Sequence, residues 1–351
     1  MFICMSSGYR ERYRQDVILA LAMPKGSRLQ FRYDKKWIAP KVLEKLKKRT
    51  FKGVRALIAY IAQYDKNKIP ELIPCRFAKI SDAKIHGTTV SLGLSLEEFA
   101  YAENKDSFNA QARSSSGDTL PNWDVNKHIK GYYWLEIDGE EPSAVTSSEK
   151  EDAWEKIVDQ IAQHTDFADD RCFYMMKGIY PIESENKLSI KDDSCNLEHS
   201  HEYEVQIYHY HPQDSENNAF LRLHSMSSSI KFTSNPTVIV NSRYDFKRIR
   251  FKTTSPIIAE QAVLSIYRGK DESKDKYGIL DFDLKIRIDG TRLKMILWGS
   301  VIGILLSIPH LITTLTNPEL IGTKLTVICI LFVIVGLITG IIAAFKLQKD
   351  I

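Results

Sequence analysis

The residues best suited to binding chemistry stand near the start of the chain, where basic and aromatic side chains lie close together. The basic set and the tryptophan that follows it are Arg28, Arg32, Lys35, Lys36 and Trp37. Phe31 and Tyr33 are interleaved with them. Arginine presents a planar fork of donors that fits phosphate, and aromatic faces stack on bases or cations. The segment predicts an anionic-ligand site for a nucleotide or nucleic acid. The alternative is a solvated basic face that attracts lipid headgroups.

One group of side chains could ligate a metal, and it consists of Cys195, His199, His201, His209 and His211. Histidines two apart on a strand share a face, so His209 and His211 could bind zinc together. The spacing matches no zinc module, and solvated or sandwich-facing histidines are the simpler interpretation. The sequence also contains no phosphate loop, dinucleotide fingerprint or hydrolase motif. No metal, cofactor or enzymatic activity is therefore predicted.

Two apolar runs follow near the end of the sequence. Residues 295–315 and 325–345 each span 21 positions without Asp, Glu, Lys or Arg, and a membrane-spanning helix needs about 20 apolar residues. Asn317 and Pro318 between them are typical of a turn. The sequence therefore predicts a C-terminal two-helix transmembrane hairpin.

The charges around this hairpin predict its orientation. Lysine and arginine flank both outer ends, whereas the connecting loop has only Lys324, and such residues favour the cytoplasmic side. The start of the chain has no pattern of a cleaved signal. Five scattered cysteines without a C-x-x-C pair suit a reducing compartment. We therefore expect a multi-pass protein of the inner (plasma) membrane with its soluble domains in the cytoplasm.

Small residues recur every fourth position in both apolar runs. They are Gly299, Gly303 and Ser307 in the first run, and Gly336, Gly340 and Ala344 in the second. In lipid, helices associate by close approach across small residues. These positions predict transmembrane packing, either within the hairpin alone or also between copies of the chain in a homo-oligomer.

A second basic set alternates along a predicted strand close to the expected membrane surface. It comprises Arg248, Arg250 and Lys252. Alternate residues of a strand share one face, so the three cations point the same way. Their position predicts contact with anionic headgroups.

Charge and pattern divide the chain into four parts. Residues 9–55 contain 15 Lys/Arg and 4 Asp/Glu, whereas residues 56–290 contain 28 and 38. We predict a basic domain at 9–110, a linker and α/β connecting region at 111–200, a β-sandwich at 201–290 and the hairpin at 295–345. Residues 104–122, rich in Ser, Asn, Gly and Asp, predict a loop. The linker region also contains a helical pattern at 149–163.

The overall fold class follows from these parts. Short alternating strands with one helix predict a small β-barrel-like first domain, and regularly spaced strands after residue 201 predict an antiparallel sandwich. The fold class is therefore α+β, mostly β in the soluble part, with the transmembrane hairpin at the end. The arginine-bearing strand followed by Trp37 resembles the small barrels of WYL-type ligand-sensing domains.

The domain order, with GSVIGILLS and GLITG in the two apolar runs, resembles the two-span effectors of bacterial antiphage and nucleotide-signalling systems. That resemblance covers the anchor and the domain order and implies no individual functional residue. It implies a membrane-anchored cytosolic sensor whose soluble domains bind a signal or partner and whose hairpin oligomerises to perturb or open the membrane. The alternative is a passive tether for a nucleic-acid- or protein-binding module.

Overall fold

The computed structural model describes most of the first 289 residues. The described residues are 2–7, 11–48, 51–62, 71–116, 132–136, 143–144, 150–163, 173–184, 186–191, 194–211, 219–240, 242–254, 259–269 and 279–289. Their helices are α1 (Glu11–Ala22), α2 (Pro40–Lys48), α3 (Lys105–Ser116) and α4 (Lys150–Ala162). A short 3-10 turn, Lys35–Trp37, precedes α2.

The strands fall into two groups along the chain. The first group is β1 (Phe2–Ser7), β2 (Arg28–Asp34), β3 (Arg55–Ala62), β4 (Glu71–His86), β5 (Thr89–Tyr101), β6 (Trp134–Glu136) and β7 (Ser143–Ala144). The second group is β8 (Phe173–Pro181), β9 (Ile190–Lys191), β10 (Ser194–Leu197), β11 (Glu202–Tyr210), β12 (Ala219–Ser225), β13 (Ile230–Phe232), β14 (Thr237–Val240), β15 (Tyr244–Thr253), β16 (Glu260–Gly269) and β17 (Ile279–Ile288).

The first group forms one mixed sheet in the order β2-β5-β4-β3-β1-β6, with β7 paired to β5. Only β1 and β3 run parallel, and the other pairs are antiparallel. The two edges approach each other at one end, where Ile38 bridges to Trp134. The Tyr133 amide also donates to the Trp37 carbonyl at 2.8 Å. The sheet therefore curls back toward its own edge around a buried core.

Aromatic side chains fill that core. Tyr33 lies with its ring centroid 5.0 Å from that of Trp134 and 5.5 Å from that of Tyr133, and all three rings are buried. Burial of such large rings is the main stabilising contribution available to a small domain. Every second side chain of β2 is apolar and packs into this core.

The second group forms two facing sheets, β13-β15-β11-β8 and β14-β12-β16-β17-β10-β9. Their inward side chains belong to one hydrophobic core, which includes Ile207, Ile249, Phe251, Leu264 and Ile266. The predicted sandwich is confirmed. Two details differ from the prediction: β10 pairs with β17 in parallel, and β8, β9 and β10 come from the region predicted as a connection.

Helices α1 and α4 pack between the first sheet and the sandwich. Trp154 of α4 is fully buried and its indole N–H donates to the Leu21 carbonyl of α1 at 3.2 Å. At the end of α1, buried Arg76 of β4 donates to the carbonyls of Ala20 and Met23. A cation at these unpaired carbonyls is favoured by the helix dipole. Burial lowers the pKa of Arg76 to about 9, against the opposing effect of Glu98.

The sequence predicted a loop at residues 104–122. In the structure, Lys105–Ser116 is helix α3, so that prediction is wrong for these residues. Asn109 attaches this helix to β4. Its side chain accepts from the Leu72 amide at 2.6 Å and donates to the Leu72 carbonyl at 3.2 Å. Phe108 and Ala112 are buried beside it. Tertiary contacts thus outweigh a composition typical of loops.

The predicted fold class is wrong in its membrane part for the residues that can be described. Every helix among the described residues is too short or too polar to cross a lipid bilayer. The described fold is built from strands with four helices around them. The predicted hairpin at 295–345, with Gly299, Gly303, Ser307, Gly336, Gly340 and Ala344, lies outside the described residues.

Candidate anion-binding faces

Strand β2 separates the two kinds of residue that the sequence placed side by side. Arg28, Gln30 and Arg32 are exposed, whereas Phe31 and Tyr33 are 0% and 1% exposed on the opposite face. The alternation of a strand has period two, so residues one apart cannot serve the same surface. The two arginines are brought together as predicted, but the aromatic rings belong to the core and cannot stack on a ligand there.

The exposed face of β2 continues across β5 and β4 in ordered rows. Arg32 lies opposite Ser91 of β5, and Ser91 lies opposite Lys84 of β4. Arg28, Ser95 and Lys79 form an equivalent row. Adjacent strands lie about 4.8 Å apart. Each serine therefore has an arginine on one side and a lysine on the other. We call the exposed side chains of these rows the β2 face.

Acidic groups partly neutralise the β2 face. Asp82 lies 3.5 Å from Arg28 Nη2 and 4.0 Å from Lys84 Nζ, and Glu97 lies 2.7 Å from Lys79 Nζ. Arg32 instead donates twice to the amide oxygen of Gln30, at 3.1 and 2.7 Å. Asp82 approaches Lys84 less closely than Glu97 approaches Lys79, so Lys84 is the less neutralised of the two lysines.

A local irregularity places Asp82 in the middle of the β2 face. The pairing of β4 with β5 shifts between Ile80 and Asp82, and such a bulge re-aims side chains. The Asp82 carboxylate then lies over Gly93, where an added methyl group would be 1.8 Å from Asp82 Oδ1. A side chain at 93 would therefore displace the Asp82 carboxylate. The alternation of Ser91, Gly93 and Ser95 was visible in the sequence, but the bulge was not.

The remaining predicted residues of this site lie in the turn after β2. Lys36 is exposed and its Nζ lies 4.9 Å from the centroid of the Trp37 ring. Trp37 is half-buried and meets Tyr133 edge-on at 6.0 Å. Trp37 therefore contributes to packing as well as to the surface. Lys35 is half-buried, and its amide donates to the Thr88 carbonyl at 2.8 Å.

The second predicted basic set lies on the outer face of the four-stranded sheet. Arg248, Arg250 and Lys252 are all exposed, and Ile249 and Phe251 between them are buried in the sandwich. The structure therefore brings these three cations onto one surface. Sequence reasoning missed Glu204, which lies opposite Arg250 on β11, although the alternation of β11 was recognisable.

The candidate metal ligands do not converge in the described part of the chain. No group of three or more His, Cys, Asp or Glu side chains is placed there to hold a metal ion. Cys195 is buried, and burial raises the pKa of its thiol to about 11. His209 is buried within the sandwich opposite Asp245, whose Oδ2 lies 3.9 Å from its Nε2. Burial lowers the pKa of His209 to about 4, against the opposing effect of Asp245.

Comparisons with known proteins give no family for this chain. No protein-family model matches it, and no curated protein matches it. Among solved structures, the class 5 fimbriae chaperone CfaA matches with a TM-score of 0.21 and 14% identity over 30% of this chain. This chain covers 57% of the length of that chaperone. A C. elegans MSP family member, WR4, matches with a TM-score of 0.20 and 10% identity, over 30% of this chain and 97% of its own.

Proposed function

We propose that this protein is a sensor-type binding protein whose β2 face binds a phosphate-bearing ligand. One observation supports the proposal: Arg32 and Lys84 flank Ser91 in register across three adjacent strands. The Ser91 hydroxyl between them is buried, so the guanidinium and the ammonium on either side of it supply the charge and donors for a phosphate group. Two cations aligned in one row favour a phosphate group at a defined position, whereas a net positive charge alone would attract any anion.

The carboxylate of Asp82 also affects the affinity of this row for an anion. Asp82 lies 4.0 Å from Lys84 Nζ in the free protein, so it competes with an incoming anion for that cation. Gln30 holds the Arg32 guanidinium by two hydrogen bonds without cancelling its charge. These two hydrogen bonds hold the charged guanidinium on the exposed face of β2.

The wider hypothesis, in which a membrane anchor transmits a bound signal, depends on residues 295–345 outside the described part. It remains a prediction from the sequence, as does the association of copies of the chain. The binding proposal is independent of it.

The test is calorimetric titration of the 351-residue chain with ATP and with inorganic tripolyphosphate at low salt. We expect binding that weakens as salt is added, and at least tenfold weaker binding by the double variant Arg32→Gln, Lys84→Gln. The matched control is Lys47→Gln, Lys48→Gln, which removes the same charge from exposed positions on α2. It should change the affinity by less than about twofold. Equal losses in both variants, or no binding of either anion, would overturn the proposal.

A further inference from the structure

Two arginines on β15 are held side by side by one nearly buried carboxylate. Glu204 of β11 has a side chain only 9% exposed. Its Oε2 accepts from Arg250 Nε at 3.1 Å, and its Oε1 lies 3.5 Å from Arg248 Nε. Gln206 Nε2 also donates to Oε1 at 3.0 Å. A carboxylate with these partners fixes the direction of both guanidinium groups.

The geometry of this contact leaves the outer ends of both arginines for a ligand. Both contacts to Glu204 use Nε, while the side chains of Arg248 and Arg250 are 59% and 52% exposed. The terminal amino groups of a guanidinium form the fork that binds phosphate in a bidentate manner. Because the pair carries two positive charges against one negative charge, it keeps a net charge that favours an anion.

Two lysines extend the positive surface beyond the arginine pair. Lys252 follows on the same face of β15, with Lys231 of β13 directly opposite it on one side and Glu202 of β11 on the other. Both are exposed, and neither forms an ion pair with the described residues. Like charges directly across two strands destabilise a sheet. An anion bound between the two lysines relieves this repulsion.

An aromatic ring stands in line with these cations. Phe246 is two residues before Arg248, shares its face and is half-buried. Its ring centroid is 5.1 Å from Arg248 Cζ and 5.3 Å from Lys177 Nζ. Cations next to an aromatic ring that reaches a basic surface are the combination found where proteins stack bases of single strands. We call Phe246, Arg248, Arg250, Lys252 and Lys231 the β15 face.

From this arrangement we infer that the β15 face binds single-stranded nucleic acid, with phosphates on the arginines and lysines and a base on Phe246. Cations two residues apart on a strand repeat about every 7 Å. This is roughly twice the 3.4 Å rise of each strand in a duplex, so the row fits an extended single strand. The inference does not depend on ligand binding at the β2 face.

Substitution of Glu204 gives the sharpest test. If Glu204 acts only through its charge, the substitution has the opposite effect on binding from the one expected if Glu204 positions the arginines. Removal of an acid from a basic surface should strengthen nucleic-acid binding if only charge matters. If Glu204 positions the arginine pair, Glu204→Gln should weaken binding about fivefold or more. The measurement is the anisotropy of a labelled 20-mer of uridine with the 351-residue chain. Thermal unfolding of the variant is compared with wild type to exclude loss of the fold.

The arginine pair is tested in the same assay. Arg248→Gln, Arg250→Gln should lower the affinity at least tenfold and reduce the slope of log K against log salt by about 1.4, since each phosphate contact on a single strand contributes about 0.7. The matched control is Lys285→Gln, Arg287→Gln, a basic pair with the same spacing on β17 of the other sheet. The control should change binding by less than about twofold.

Phe246 supplies a variant that does not touch the charges. Phe246→Trp should keep or strengthen binding, and Phe246→Leu should weaken it severalfold, because only an aromatic ring stacks on a base.

Three results would overturn the inference. One is tighter oligonucleotide binding by Glu204→Gln, and another is equal losses in the β15 pair and the β17 control. The third comes from vesicles of phosphatidylserine and phosphatidylcholine, used in place of the oligonucleotide. If the β15 pair is needed for vesicle binding and not for oligonucleotide binding, the face binds headgroups.

Discussion

Strands β2 and β15 carry similar residues, but they present them differently. In β2 the aromatic residues stand one position from the arginines, so Phe31 is 0% exposed while Arg32 next to it is exposed. In β15 Phe246 stands two positions from Arg248, and both reach the outer face. Period-two alternation is the same in both strands. An aromatic residue an odd number of positions from the arginines lies on the core side of the strand, and one an even number of positions away lies on the basic surface.

The largest expected effect compares the two phenylalanines directly. Phe31→Ala should lower the free energy of unfolding by about 3–5 kcal/mol, because it opens a cavity in a closely packed core. Phe246→Ala should cost about 2 kcal/mol or less, because its ring is only partly buried. Urea unfolding of both variants measures the difference. Similar costs at the two positions would break the comparison.

The next effect distinguishes the inward faces of the same two strands. The inward side chains of β2 are all apolar, whereas Asp245 of β15 lies beside buried His209, which has a pKa of about 4. In the unfolded chain the pKa of histidine is about 6.5, so unfolding takes up a proton between these two values. The contribution to stability is complete above pH 6.5 and is lost as the pH falls toward 4, to a limit of about 3 kcal/mol.

Unfolding measured at pH 7, 6 and 5 tests this effect. His209→Leu should flatten the dependence on pH over that range. His86→Gln, at an exposed position on β4, is the matched control. An equally steep slope in His209→Leu would contradict the assignment.

The strands themselves were predictable where one face is buried. The alternation of RLQFRY predicted β2, and EVQIYHYH predicted β11, because a period of two requires one apolar and one polar face. Helix α3 was not predictable from composition, since Asn109 stabilises it through hydrogen bonds to Leu72, 37 residues away. Strand β1 was missed as well; it is defined by its parallel pairing with β3, which local pattern does not reveal.

The candidate sites were predictable to a more limited degree. The exposed rows of cations follow from alternation alone. The aromatic contribution was assigned to Phe31 and Tyr33, although the same rule places them in the core. The register that sets Ser91 between Arg32 and Lys84, and the bulge that places Asp82 over Gly93, come from pairing between strands. A single sequence carries no signal for either.

A smaller effect sharpens the contrast between two carboxylates on basic faces. Asp82 competes with an anion on the β2 face, whereas Glu204 positions the arginines of the β15 face. Asp82→Asn should therefore tighten the binding of tripolyphosphate about threefold, opposite in sign to Glu204→Gln with the oligonucleotide. Calorimetry at one salt concentration measures the change. Weaker binding by Asp82→Asn would mean that Asp82 positions Arg28 and Lys84 instead.

The smallest effect concerns the lysine pair at the edge of the β15 face. Lys231→Glu places an opposite charge across from Lys252 and should raise the free energy of unfolding by about 0.5 kcal/mol. The same variant should weaken oligonucleotide binding, since a phosphate position is lost. Urea unfolding and anisotropy measure the two effects. A variant that is both more stable and an equally good binder would show that this pair has no part in ligand binding.

Photocrosslinking tests the central claim most directly, because it reports which aromatic residue meets a base. The 351-residue chain is irradiated with a uridine 20-mer, digested, and its crosslinked peptides are identified by mass spectrometry. The predicted result is crosslinking at Phe246 and none at Phe31 or Tyr33, and Arg248→Gln, Arg250→Gln should abolish it. Crosslinks at the β2 aromatic residues, or oligonucleotide binding without any crosslink at Phe246, would contradict the account.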